Sequence, residues 1–435
     1  MTLKRLLPES WEQRDGRVFL GGVDLAELAE EYGTPAFVTD EAHLVSRLAS
    51  FRSAFGDRAA LVYAGKAFLC GALVKHLVRA GWWIDVVSTG ELEIATRAGM
   101  PLGRTLMHGN AKPRSEMAEA VSRGVGRIVV DHPGEIDVLD RLARTSGTRP
   151  AVLLRLNADV AAETHEKVKT TGDRAQFGMD PVSAAAAAAR ADEAVGIELA
   201  GVHIHVGSQI RDPDTYRRAA SAVVDFVEPL RARFPERVDL DLGGGMPVPY
   251  LRDDDAPGVA AFAGAVLGGL DTARATDRLG DYRLLVEPGR SVVATSTITL
   301  YRVEARKRLP SGREMIAVDG GLSDNPRPAL YGQQYEVLAV ARADGPSDTR
   351  FHVVGRHCET GDIINVDASL PDATAPGDVV AVPSTGAYAY SMSSRYNGLR
   401  RPPVLYVREG GVREVVRRET FDDLVSCDLD IASRL

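Results

Sequence analysis

"ALVYAGK", residues 60–66, is an apolar run that delivers one lysine at its end. Val62 and Tyr63 favour a strand, and Gly65 loosens the backbone just before Lys66. The "AFL" that follows at 67–69 reads as the start of a helix backing that strand. A lysine at a strand end has an ordinary explanation, an ammonium group snorkelling into water. It also has a chemical one, an amine held partly out of water to serve as a nucleophile. Seven more runs of the same kind follow: "WWIDVVS" (82–88), "RTLMHGN" (104–110), "RIVVDHP" (127–133), "AVLLRLN" (151–157), "AGVHIHVGS" (200–208), "VDLDLGGG" (238–245) and "RLLVEPGR" (283–290). Helix formers such as "GELEIATRAG" and "PVSAAAAAARADEA" separate them. The alanine run within the second is plain helix, since alanine has the highest helix propensity. Apolar strands alternating with helices form parallel βα units, and eight of them suggest a closed TIM-type (β/α)8 barrel. An open doubly wound sheet shares the alternation; the count favours closure.

Beyond residue 291 the texture changes to short β-rich runs, including "STITLYRVEARKRL", "REMIAVDGG", "RFHVVGRHC" and "PPVLYVREGGVREVVRRE". These predict a C-terminal antiparallel sheet or barrel. The expected α/β architecture is therefore a barrel domain over 34–290 and a β-rich domain made of 1–33 and 291–435. The segment 17–39, a strand followed by a helix, could join either.

Barrel enzymes work at the C-terminal ends of their strands. Nearly every run here ends in polar groups: Lys66; Asp85 and Ser88; His108 and Asn110; Asp131; Arg155 and Asn157; His203, His205 and Ser208; Gly243, Gly244 and Gly245; Glu287 and Arg290. Taken singly, each has a bland reading. Asp131 could cap a helix, one of the two histidines could be a satisfied core residue, and "GGG" could be a turn. Together a lysine, a glycine loop that exposes backbone N–H groups, a carboxylate and an arginine suggest a phosphorylated aldehyde cofactor. The β-rich half carries a second cluster: Arg327 and Tyr331 in "DNPRPALYG", Cys358 and Glu359 in "GRHCETGD", and Tyr388 in "GAYAYSMSSRYNG".

The chain has 435 residues and a net charge of −8, with no basic stripe to engage nucleic acid. Its three cysteines, Cys70, Cys358 and Cys427, have neither disulfide nor zinc spacing, so no metal is expected and a reducing cytoplasm fits. No stretch reaches membrane-span length, and "MTLKRLLPES" lacks the apolar core of a signal peptide.

These residues together resemble the fold-type III pyridoxal-phosphate decarboxylases, whose barrel is of the alanine-racemase type. The β-domain motifs are most similar to those of the diaminopimelate decarboxylases, as are "THEKVKTTGDRAQFGM" (164–179) and "HIHVGSQI" (203–210). The resemblance implies pyridoxal 5'-phosphate as cofactor and decarboxylation of meso-2,6-diaminopimelate to L-lysine. Lys66 matches the lysine that holds the cofactor's aldehyde, His205 the histidine that stacks on its ring, and Ser208 a phosphate contact. Gly243, Gly244 and Gly245 match the phosphate loop, Glu287 the partner of the ring nitrogen, and Tyr388 a contact to both cofactor and substrate. Asp85 and Arg155, at the tips of two other runs, are grouped with these cofactor contacts, as is Arg290. Arg290, Arg327 and Tyr331 match groups that bind the substrate's far carboxylate, Glu359 the contact to its far ammonium, and Cys358 the acid that reprotonates the α-carbon. The resemblance also implies a homodimer in which Cys358 and Glu359 enter the partner's site. The motifs depart from the family in places: "YAGK" has glycine where alanine is expected, and "GGGMPVPY" replaces "GGGFGIxY". A related decarboxylase acting on ornithine, lysine, arginine or a carrier-linked amino acid is the alternative. A racemase of similar barrel fold fits less well, because "CETGD" is a motif of the decarboxylases, and a homologue that only binds fits less well, because Lys66 and Cys358 are both present.

Overall fold

Eight short strands with apolar centres find burial on both faces by closing on themselves. In the computed structural model, which describes residues 3–157 and 176–432, they are β1 (Ala59–Ala64), β2 (Trp83–Val86), β3 (Thr105–Met107), β4 (Arg127–Val130), β5 (Ala151–Leu156), β6 (Glu198–Ile204), β7 (Arg237–Asp241) and β8 (Asp281–Val286). Each pairs in parallel with the next, and β8 returns to β1, so the sheet is a closed barrel in sequence order. The order matches the runs read from the sequence. The strands end a few residues earlier, which leaves most of the polar tips on loops, while Asp85, Arg155 and His203 remain within their strands. The barrel's unit comprises Leu48–Pro247 and Ala256–Ser291.

Inside the barrel Val62, Leu106, Val129, Leu153, Ala200 and Leu285 pack together. Burying each valine or leucine contributes roughly 1.5–3 kcal/mol. One polar knot interrupts this core. The buried carboxylate of Asp239 accepts from Arg127 Nε at 2.6 Å and from Arg283 Nε and Nη2 at 2.7 and 2.9 Å. Both guanidinium groups lie against the Trp83 ring, 6.0 and 5.5 Å from its centre. Outside the barrel, the alanine run lies in the helix Pro181–Glu193, where Asp180 caps the N–H groups of Val182 and Ser183.

The other unit comprises Met1–Arg47, Val248–Asp255 and Val292–Leu435. Its spine is the long strand Thr297–Arg308, which pairs antiparallel with Ala36–Asp40, Glu314–Val318 and Val379–Val382. Two other pairings, Glu314–Val318 with Arg350–Val354 and Val404–Arg408 with Ala36–Asp40, are parallel, so the sheet is mixed. The strand Ala36–Asp40 lies inside the span expected for the barrel, yet it runs in this sheet. It is buried at all five positions and hydrogen-bonded on both sides, which a central strand requires. The ambiguous segment 17–39 is thus resolved: the strand Arg17–Leu20 and the helix Leu25–Tyr32, capped by Asp24, share the β-rich unit's core with Val38 and Leu300.

The Asp239 knot makes a direct prediction. Asp239→Ala leaves two arginines in the barrel without their shared acceptor and should lower unfolding stability by about 3 kcal/mol. Urea denaturation followed by tryptophan fluorescence measures it; a loss under about 1 kcal/mol would show that the knot is not stabilising.

Candidate active site

Lys66 stands on a single 3-10 turn, Gly65–Ala67, immediately after β1. Gly65 has a steric reason to be glycine: a Cβ there would fall 2.6 Å from the Asp85 carbonyl oxygen, and its N–H donates to Asp85 Oδ1 at 3.3 Å. Contrary to the expectation from the sequence, the "AFL" stretch does not begin a helix. Tyr63 Oη donates to the Phe68 carbonyl at 2.7 Å, Cys70 is extended, and the helix starts at Gly71. The Lys66 side chain is exposed rather than withdrawn from water, because the turn projects it beyond the strand end. Ser88 is a helix cap that accepts the Glu91 N–H at 3.2 Å.

Glu287 is buried just past β8, and each of its oxygens meets an imidazole. His108 Nε2 is 2.7 Å from Oε1, and His203 Nε2 is 3.3 Å from Oε2. The two rings pack edge to face with centres 4.9 Å apart. Burial alone would raise the Glu287 carboxyl, but His108 and His203 hold it well below the ordinary carboxylate range. Its neighbours go the other way. Burial and the charge on Glu287 push the Asp85 carboxyl up to about 6 and Asp241 well above its usual value. Burial brings His203 down to about 4, so at neutral pH it is an uncharged N–H donor. His108, His203, Asp241 and Glu287 bring possible ligand atoms within 4.8 Å of one another. Both Nε2 atoms face Glu287 oxygens at hydrogen-bond range, which marks a clamped carboxylate rather than a metal centre.

The glycine loop follows β7. Gly243 and Gly245 hold φ of +63° and +103°, and Cβ atoms at Gly244 and Gly245 would fall 2.2 Å from the carbonyls of Glu287 and Gly207. Only glycine fits there. Gly244 N lies 3.4 Å from His205 Nδ1. Burial, then the charges of Lys66 and Arg155, keep His205 well below its usual pKa and therefore neutral. Arg290 Nη2 donates to Ser208 Oγ at 3.1 Å. The barrel thus gathers Lys66, Asp85, Arg155, His205, Ser208, the three glycines, Glu287 and Arg290 at one end. Asp131 does not cap a helix: its Oδ2 accepts the Gly178 N–H at 3.0 Å, and its Oδ1 faces Arg155 Nε at 3.7 Å. Behind it Lys112 is fully enclosed, bound to Glu135 at 2.8 Å and to the carbonyls of Gly109 and Val129 at 2.7 Å. Of the motif at 164–179, the positions up to 175 lie outside the described residues.

The second cluster lies within the β-rich unit. Arg327 is buried, with its guanidinium 5.6, 5.3 and 5.6 Å from the ring centres of Tyr250, Tyr331 and Tyr388, and Nε donates to Tyr335 Oη at 3.0 Å. Tyr388 holds φ +61°, a strained conformation for a bulky residue. Cys358 and Glu359 are exposed. The Cys358 N–H donates to Asn397 Oδ1 at 3.3 Å, and Tyr396 donates to Glu359. Their loop is braced from below: Asp362 accepts from His357 Nδ1 at 2.7 Å and from the N–H groups of His357 and Leu322 at 2.9 and 2.8 Å. The supports Tyr250, Tyr335, Tyr396 and Asn397 were not singled out from the sequence. Tyr396 and Asn397 sit inside the same motif as Tyr388, the one signal that pointed to them.

The buried groups set a pH dependence. His203 takes up a proton near pH 4 when folded but near 6.5 when unfolded, so it costs stability as pH falls. Asp85 is protonated near 6 when folded and near 3.9 when unfolded, so it adds stability as pH falls. The two oppose each other between pH 6 and 4. Asp85→Asn removes the second, so the variant should lose stability faster than the parent on acidification, by up to about 1.4 kcal/mol per pH unit. Parallel slopes of urea midpoint against pH would refute this.

The chain is similar to known proteins along its whole length. The family described as "Pyridoxal-dependent decarboxylase, pyridoxal binding domain" matches residues 41–294. Diaminopimelate decarboxylase from Mycobacterium tuberculosis (strain ATCC 25618 / H37Rv) is 43% identical, covering 98% of this chain and 99% of that protein. The enzyme of that name from Bacillus subtilis (strain 168) is 38% identical, covering 97% of each. The crystal structure of diaminopimelate decarboxylase from M. jannaschii in complex with L-lysine superposes with a TM-score of 0.91 at 31% identity, covering 98% of this chain and 99% of that one. A closed barrel with a lysine, a glycine loop and a clamped carboxylate at one end, joined to this full-length similarity, places the chain in the fold-type III pyridoxal-dependent decarboxylases, among the diaminopimelate decarboxylases.

Proposed function

We propose that this chain decarboxylates meso-2,6-diaminopimelate to L-lysine with pyridoxal 5'-phosphate, as the last step of lysine synthesis. The observation that carries the substrate is Arg327. It is buried, fixed by Tyr335 and ringed by three tyrosines. A planar guanidinium so held suits a carboxylate at the substrate's far end, which ornithine and lysine lack. The full-length similarity to diaminopimelate decarboxylases supports the same reading.

The donor set fits the cofactor. A primary amine suits its aldehyde, a carboxylate kept charged suits a protonated ring nitrogen, and glycine amides beside Ser208 and Arg290 suit its phosphate. When bound, the cofactor supplies an electron sink for the pair left behind as CO2 departs. The chain's own residues do the rest. Lys66 holds the aldehyde until a substrate amine replaces it. Glu287 keeps a negative charge where the ring nitrogen needs its proton. Arg327, with Tyr331 and Arg290, orients the far carboxylate, and Glu359 takes the far ammonium. The Cys358 thiol returns a proton to the α-carbon.

Cys358 and Glu359 are exposed on the single chain. We place them in the partner's site of a homodimer, which adds a head-to-tail assembly with two shared sites in the cytoplasm.

Purified protein should release CO2 from meso-diaminopimelate; release from ornithine, lysine or arginine instead would refute the substrate. Lys66→Ala should abolish the visible absorption of the bound cofactor. Cys358→Ala should keep that band and lose most turnover. Each variant alone should be nearly inactive, whereas mixed and reassembled subunits should regain activity, because one site of the hybrid is intact. Mixtures that stay inactive although hybrids form would show that each site is built from one chain.

A further inference from the structure

Three carboxyl groups crowd the barrel's mouth, and of these Glu287 alone is held below its ordinary range, while Asp85 and Asp241 are pushed above theirs. Glu287, Asp85 and Asp241 are all buried. Asp241 Oδ1 accepts the Gly243 N–H at 2.9 Å, and Asp85 Oδ1 accepts that of Gly65. Glu287 differs in that both its oxygens face imidazole nitrogens. His108 comes from the loop after β3 and His203 from β6 itself, so the carboxylate plane is gripped from two directions. His203 Nδ1 is buried with no hydrogen-bond partner among the described residues. The ring's proton is therefore needed on Nε2, where it donates to Glu287.

We infer that His108 and His203 are positioning residues that keep Glu287 an oriented anion and so hold the proton on the cofactor's ring nitrogen. The inference rests on the functional reading above, in which Glu287 faces that nitrogen. The physical need is plain. A buried carboxylate without a donor for each oxygen is pushed toward its protonated form, as Asp85 and Asp241 are here. Such a carboxyl would leave the ring nitrogen unprotonated and weaken the electron sink. The other charged or titratable groups near Glu287 are Lys66 after β1, Asp85 on β2, Arg155 on β5, His205 after β6 and Asp241 on β7. Asp85 and Asp241 oppose a charge on Glu287. Lys66 and Arg155, as cations, favour it. The two imidazoles meet its oxygens directly, with Nε2 atoms at 2.7 and 3.3 Å.

A purely structural pair of core histidines would make a different prediction, so the test reads the nitrogen itself. Holoenzyme reconstituted with cofactor labelled with 15N in the ring gives a chemical shift that reports protonation. In His108→Leu and His203→Leu the signal should move toward that of an unprotonated pyridine, as in Glu287→Gln. Turnover should fall on the order of 10- to 100-fold with KM little changed, the range for residues that orient a reacting group. His108→Gln and His203→Gln keep an N–H donor and should recover much of both readouts. Adding Glu287→Gln to His108→Leu should cost little more, since both act through one carboxylate. If a leucine variant fails to fold, the glutamine variant decides: a protonated nitrogen supports the inference, and an unprotonated one despite the retained donor overturns it. A nitrogen that stays protonated in the folded leucine variants, with turnover unchanged, also overturns it. Failure of the functional reading looks different, because the unmodified protein would then bind no cofactor.

Discussion

A buried negative charge is the constraint from which the rest of the barrel end follows. Left alone, a carboxylate as enclosed as Glu287 would neutralise itself by taking a proton. It stays ionised because His108, 179 residues before it, and His203, 84 residues before it, present nitrogens to its two oxygens. Only the closed barrel does this. β3, β6 and β8 are not neighbours in the sheet, yet their C-terminal ends converge on one opening. The same closure brings β7's glycine loop against the carbonyl of Glu287, close enough to exclude any side chain from Gly244. Charge, loop and lysine turn are three consequences of one topology.

The barrel was legible because its information is local. Each strand is a short apolar run, each helix has its own propensity, and counting to eight needs no three-dimensional knowledge. Legibility failed where tertiary partners decide. "AFVTD" at 36–40 reads like any barrel strand, but Thr297–Arg308 and Val404–Arg408 claim it, hundreds of residues later in the chain. "AFL" after Lys66 has helical propensity, yet the Tyr63 hydroxyl pins the Phe68 carbonyl and postpones the helix to Gly71. The exposure of Lys66 is likewise a matter of turn direction, which composition does not encode.

For the candidate site, residue types were readable and their supports were not. Glu287 and Arg327 stand out as charges beside proline and glycine. The imidazoles that clamp one and the tyrosines that ring the other come from distant segments. His203 illustrates the limit: the alternation "HIH" shows that two histidines share one strand face, but only the fold reveals that one meets Glu287 and the other the glycine loop. Gly65, where the sequence alone shows only a departure from the expected alanine, is accounted for by the Asp85 carbonyl, which a Cβ there would approach to 2.6 Å.

The departure "GGGMPVPY" can now be weighed by position. The part that approaches backbone closely, Gly243 to Gly245, is unchanged, and its steric demands are those of the loop itself. The altered residues begin at Met246, and they lead the chain to Tyr250. That tyrosine packs edge to face on Tyr335 with ring centres 5.0 Å apart and lies beneath the Arg327 guanidinium. Tyr335 in turn fixes Arg327 Nε. The altered residues thus lie between the glycine loop, whose close approaches to backbone are intact, and the tyrosine that supports Arg327, so the departure touches neither of these groups directly.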